Sequence, residues 1–121
     1  MAIGFPPSFQ DTIEYRVPEK QLLRAIEFAL EDLRWSNYRD GKWRFVATIP
    51  FQFFVTPGEK ITINVEEGGL IVARSETSNP LQWIDWGRNR SNVRQFFAAL
   101  DDMLEEMSRR RRRDDRDEDF V

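Results

Sequence analysis

Apolar and polar residues change their spacing several times along this chain, and each change marks a structural element. In "FQDTIEYRV", Phe9, Ile13, Tyr15 and Val17 fall on one side, with Gln10, Thr12, Glu14 and Arg16 on the other. A period of two is that of a strand with one wet face. Pro18 then stands where a first helical residue would, and Glu19 lies in the first turn, where the helix dipole favours an anion. "EKQLLRAIEFALEDLRW" follows with Leu22, Leu23, Ile26, Ala29, Leu30 and Leu33 on one helical stripe. Phe28 falls roughly opposite the stripe, either as a partly exposed aromatic or as a contact for a partner.

From residue 35 the period returns to two. "WSNY" leads into "RDGK", where Asp40-Gly41 predicts a hairpin. "WRFVATIPFQFF" puts Trp43, Phe45, Ala47, Ile49, Phe51 and Phe53 on one face, and Pro50, with no amide to donate, calls for an edge or a bulge. "TPGE" predicts a turn centred on Pro57 and Gly58. "KITINVEE" points Ile61, Ile63 and Val65 inward, Gly68-Gly69 turns the chain, and "LIVARSETS" is the next strand. Last, Val93, Phe96, Phe97, Leu100, Met103, Leu104 and Met107 recur at helical spacing. This helix is expected to run past Met107 into the arginines and to fray before the acidic end. The order β-α-β-β-β-β-α predicts one α+β domain over 1–108, an antiparallel sheet with both helices packed on one face. Residues 109–121, "RRRRRDDRDEDFV", are expected to form a mixed-charge tail.

That order of elements resembles the TATA-binding-protein-like and helix-grip folds. More locally, "PGEKITINVEEGGLIVARSETSNPLQWIDWGRNRSNVRQFFAAL", Pro57 to Leu100, is similar to the end of small bacterial domains of unknown function. In those, a G-E-x-I-x-I strand, a strand with a serine and a D-W-G-[KR]-N-x-x-N-V element precede the last helix. The resemblance implies no activity.

Composition narrows the chemistry. The 121 residues are 40% apolar and include 10 Phe, 4 Trp and 2 Tyr, ample for one core. Cysteine and histidine are both absent. Most zinc, iron–sulfur and haem sites, cysteine proteases and Ser-His-Asp hydrolases are therefore excluded, and no EF-hand spacing appears. No metal or cofactor is expected. The first residues, "MAIGFPPSFQ", lack the basic and apolar regions of a signal peptide, and no run approaches a membrane span. A cytoplasmic location is expected. Net charge is −3, so bulk charge recruits neither nucleic acid nor a membrane surface.

Four groups of polar residues are candidates for chemistry. Asp101, Asp102, Glu105 and Glu106 lie away from the apolar stripe, as a solvated face and not as an acid/base pair, which needs a desolvated pocket. Arg74, Arg88, Arg90 and Arg94 are placed to converge near the start of the last helix as an anion site. Against that, Asp85, Glu76 and Asn89 can satisfy some of their donors. The five arginines of 109–113 follow Glu105 and Glu106 at helical spacing and are neutralised by the acidic run beyond. The wet sheet face, with Arg16, Arg44, Thr48, Thr62 and Asn64, lacks the aromatics on which nucleic-acid bases stack.

"PLQWIDWGRNRSNV" reads as a joint between sheet and helix. Trp83 and Trp86 are expected to close the open end of the core, and Asp85 to accept from backbone amides or Arg88. Gly87 is expected at a sharp turn with positive φ, and Asn89 or Ser91 at the helix cap. The chain is thus expected to be a non-enzymatic protein-interaction or binding module, with a protein partner or self-association. The alternative is a helix-grip pocket that holds a small apolar ligand between the last helix and the sheet.

Overall fold

The computed structural model describes residues 8–49, 58–77 and 87–118. Along them run β1 (Ser8–Glu14), α1 (Glu19–Asp32), β2 (Ser36–Arg39), β3 (Arg44–Ile49), β4 (Glu59–Glu66), β5 (Leu70–Thr77) and α2 (Arg88–Glu118). The five strands form one antiparallel sheet in the order β1-β5-β4-β3-β2. The first and second strands are therefore opposite edges, and α1 must carry the chain across a face of the sheet to join them. Pro50, Phe51, Phe53 and Pro57 of the predicted third strand and turn lie outside the described residues.

Cross-strand partners share a face, so the register defines two layers. Phe9 pairs with Ser75, Ser75 with Ile61, and Ile61 with Ala47. This inner layer also holds Phe45, Ile63, Val65, Ile71 and Ala73, and it packs with the buried stripes of both helices in one core. From α1 come Leu22, Leu23, Ala25, Ile26, Ala29 and Leu30. From α2 come Val93, Phe96, Phe97 and Leu100. Phe28 is partly exposed, as its position opposite the stripe requires. Trp43 has the inward parity but remains exposed, beside a cavity that Glu19 at the start of α1 also lines. On the outer layer Arg44 pairs with Asn64, and its Nε donates to the Asn64 Oδ1 at 2.8 Å. Val46 is buried on that face, between Tyr38 and Thr62.

The turns follow their glycines. Gly41 takes φ 82° between β2 and β3, and Gly68 and Gly69 take 84° and 81° between β4 and β5. Gly69 is constrained twice, because a side chain there would run into the Tyr15 carbonyl. Its own carbonyl accepts from the Tyr15 amide at 2.8 Å, which extends the β1–β5 ladder.

Two helix ends differ from expectation. Pro18 precedes α1 as its N-cap, with ψ 139°, and Glu19 is the first helical residue. The last helix does not fray before the acidic run; it continues to Glu118. Past Gly87 the chain has no glycine or proline to stop it. Arg109 and Arg110 bind Glu105 and Glu106 at 2.6 and 2.7 Å, one turn apart. Arg111 also donates to Gln21 of α1 at 3.1 Å.

Tyr15 ties the end of β1 to α2. Its ring stacks on Phe97 with centroids 6.5 Å apart, and its hydroxyl donates to Asp101 at 2.8 Å. Burial, and then the carboxylate that accepts its proton, holds the Tyr15 hydroxyl well above the ordinary tyrosine value. Because the folded value exceeds the unfolded one, the Tyr15 contribution is complete below about pH 10 and is lost as pH rises toward the folded value. Thermal melts above about pH 10 should show this loss in the parent chain and less of it in Tyr15→Phe. Parallel losses in both would contradict it.

Candidate functional site

The densest polar cluster lies where the first turns of α2 cross the start of β4 and the end of β5. Glu59 and Thr77 are cross-strand partners, and Ser75 is the next inward position on β5. From α2 come Arg88, Asn89 and Asn92, at i, i+1 and i+4, on the side that continues into Val93 and Phe96. Helical spacing thus places amides above three inward-facing polar strand residues. Glu59, Ser75, Asn89 and Asn92 are all buried.

Their hydrogen bonds have one consistent direction. The Glu59 Oε1 accepts from Arg88 Nε at 2.7 Å and from Asn92 Nδ2 at 3.1 Å. The other Asn92 amide hydrogen is available to Ser75 Oγ at 3.3 Å. Ser75 in turn donates to Asn89 Oδ1 at 2.8 Å, and Asn89 Nδ2 donates to Thr77 Oγ1 at 3.0 Å. Asn89 is held in one orientation by a donor to its oxygen and an acceptor for its nitrogen, and Asn92 by two acceptors for its nitrogen. The Glu59 Oε2 is buried and has no partner among the described residues.

This arrangement holds elements together and does not assemble a nucleophile. Ser75 donates to an amide oxygen, not to a base that would activate it. Glu59 is only 1% exposed. Surface cavities of about 570, 330 and 230 Å³ lie along α1 and the β3 and β4 ends, and none of these touches the cluster. Among the described residues no group of acidic side chains is placed to hold a metal ion.

The four arginines proposed to converge do not. Arg74 lies on the outer sheet face, bonded to Glu76 and Ser8 at 3.3 Å. Arg88 turns inward to Glu59. Arg90 is exposed, with its guanidinium 5.9 Å from the Phe9 ring centre, and Arg94 is exposed. Alternation separates Arg74 from Ser75 onto opposite faces, which linear proximity could not reveal. Gly87 takes φ 81°, and its carbonyl accepts from the Ser91 amide at 2.9 Å. Gly87 therefore stands at the cap position assigned to Asn89 or Ser91. Asn89 is the second helical residue and its side chain is spent on β5. Trp83, Asp85 and Trp86 lie outside the described residues.

The sequence reading did not single out Glu59, Ser75, Thr77 and Asn92 as a group. A signal was present. Glu59 continues the inward parity of Ile61 and Ile63, Ser75 that of Ile71 and Ala73, and Asn89 and Asn92 precede Val93 and Phe96 on one stripe. Polar residues at positions that periodicity assigns to the core need partners there.

Glu59→Ala should destabilise the fold by about 1–3 kcal/mol, since Arg88 and the buried Asn92 lose a shared acceptor. Ser75→Ala should cost about 1–3 kcal/mol, and exposed Arg90→Ala should stay within about 0.5 kcal/mol. Urea unfolding gives the ranking, and equal midpoints for Glu59→Ala and Arg90→Ala would refute the joint.

A scan against protein-family models finds no match, and no curated protein matches this chain.

Proposed function

We propose that this chain is a non-catalytic protein-interaction module. The reading rests on the packing beneath α2, where Phe45, Phe96 and Leu100 are at most 2% exposed and Phe97 is 5% exposed. A small-molecule site needs a cavity of roughly 300 Å³ or more, and the side chains in that place are in mutual contact within one core. Its most concentrated polar residues also face inward, onto one another. What the molecule offers to others is an outer sheet face, with Tyr38 61% exposed, and a long charged helix.

The proposal includes a cytoplasmic location, in keeping with a chain that is 32% charged. No helix among the described residues is long and apolar enough to cross a membrane. Nucleic acid is not the partner proposed. The arginine run of α2 is flanked by carboxylates on both sides, and the outer sheet face is mostly polar and mixed in charge.

Native mass spectrometry of freshly purified protein should give the bare 14.4 kDa chain or multiples of it. A co-purifying apolar molecule released on denaturation would overturn the reading in favour of a ligand pocket. Phe96→Ala should cost about 3–5 kcal/mol, as for an aromatic in a filled core; a much smaller loss would indicate space already present. Labelled duplex or single-stranded DNA at about 150 mM salt should bind weakly and with strong salt dependence. Tight binding that disappears on truncation after residue 108 would exclude the nucleic-acid part of the proposal.

A further inference from the structure

A surface cavity of about 570 Å³ lies where the first turns of α1, the end of β2 and the projecting part of α2 meet. Lys20 and Arg24 of α1, Arg39 of β2 and Arg111 of α2 line it, all of them exposed. Leu23, which is buried, and Met107, which is half-buried, give it an apolar floor. Helical spacing makes these walls. Lys20, Leu23, Arg24 and Glu27 fall on one face of α1, and Met107 and Arg111 are one turn apart on α2.

The charge of the cavity is opposite to that of the whole chain. Four cations and one carboxylate line it, in a chain of net charge −3. The carboxylate is already engaged. Glu27 accepts from Arg39 at 3.0 Å, and Arg39 also donates to the Lys42 carbonyl at 2.9 Å, which fixes that guanidinium at the rim. Arg111 donates to the Gln21 Oε1 at 3.1 Å. That partner is neutral, so the Arg111 charge stays uncompensated, and the Gln21 amide keeps its own hydrogens for a ligand. Among the described residues, no carboxylate is paired with Lys20, Arg24 or Arg111.

Shape narrows the ligand. A small-molecule site encloses most of its ligand within largely apolar walls, whereas this cavity lies at the surface behind a charged rim. It also adjoins a second cavity of about 230 Å³, which shares Glu27 and Arg39 with it and is bordered by the partly exposed Phe28. Glu27 and Glu31 make that second end acidic. The trough between α1 and β2 is therefore cationic toward α2 and aromatic, with carboxylates beside the ring, at its other end.

We infer that this trough is the docking site for an acidic segment of a partner protein, whose carboxylates lie over Lys20, Arg24 and Arg111 and whose next apolar side chain rests on Phe28. Guanidinium groups suit the role because they bind carboxylates through two parallel hydrogen bonds. Glu27 and Glu31 set the direction, since they repel carboxylates from the Phe28 end. The inference rests on the interaction-module reading and supplies the chemistry of its partner.

Fluorescence anisotropy on the full chain tests it, with a short labelled peptide that runs from glutamates to a leucine and a phenylalanine. Circular dichroism confirms that each variant stays folded. The parent chain should bind this peptide at about 50 mM salt and lose affinity at about 500 mM. A counterpart with glutamine for each glutamate should bind at least about tenfold more weakly. Lys20→Glu with Arg24→Glu reverses the charge of the wall and should weaken binding at least about tenfold. Arg90→Glu with Arg94→Glu makes the same change of charge at the other end of α2, and should weaken it less than about twofold. A parent chain that leaves the acidic peptide unbound at hundreds of micromolar overturns the inference. So does an equal loss in both double variants, or a glutamine peptide that binds as well. Inorganic pyrophosphate that binds more tightly than the peptide and displaces it would reassign the trough to small anions, and overturns it too. An apolar molecule found by mass spectrometry would instead refute the module reading, without changing the peptide titration.

Discussion

Burying a carboxylate is among the costliest steps a fold can take, and here Glu59 takes it at the junction of sheet and helix. The step is tolerated because Arg88 supplies the opposite charge at 2.7 Å and Asn92 a further donor. Those donors belong to α2, so the charge is compensated only when the helix lies in one place. Apolar contacts are less particular. Val93, Phe96, Phe97 and Leu100 gain nearly as much from any position that covers them, since burial is non-directional. Hydrogen bonds to Ser75, Thr77 and Glu59 require that the first turns of α2 stand over the ends of β4 and β5. The cluster therefore sets the helix's position along the sheet, and the apolar stripe supplies most of the attraction.

The rest of the architecture depends on that placement. With α2 anchored at its start, the helix runs along the β1–β5 side, where Tyr15 meets Phe97 and Asp101. α1 packs beside it as it crosses from β1 to β2, and the two helices complete one layer over the inner face. Among the described residues, the opposite sheet face carries no helix. At its far end α2 outruns the core, and the described residues there make one-turn ion pairs and a hydrogen bond from Arg111 to Gln21. One end of α2 is thus fixed by buried polar groups, and the other extends into solvent.

Much of this was legible in the sequence because it depends on local spacing. Alternation assigned the strands and their inward residues, helical spacing gave the stripes of α1 and α2, and Gly41, Gly68 and Gly69 marked turns whose φ only glycine adopts easily. The exposed face of Asp101, Asp102, Glu105 and Glu106 followed from the same spacing, as did the one-turn pairs to Arg109 and Arg110. The extent of α2 beyond them was not. A mixed-charge run without glycine or proline is as compatible with a solvated helix as with a disordered tail.

The sequence by itself determined the order of the elements, which side of each faces inward, and where the chain turns, since each follows from neighbours a few residues apart. Only the tertiary structure decided which polar residues meet. Glu59 and Arg88 are 29 residues apart in the chain, and Ser75 and Asn92 are 17 apart. Their encounter requires the β4–β5 pairing and the return of α2 onto the sheet. The same return sends Arg88 inward while alternation leaves Arg74 on the far face. Periodicity says whether a side chain points into the core, but it carries no information about what waits there, because a hydrogen bond is made by two residues and a period is read from one segment.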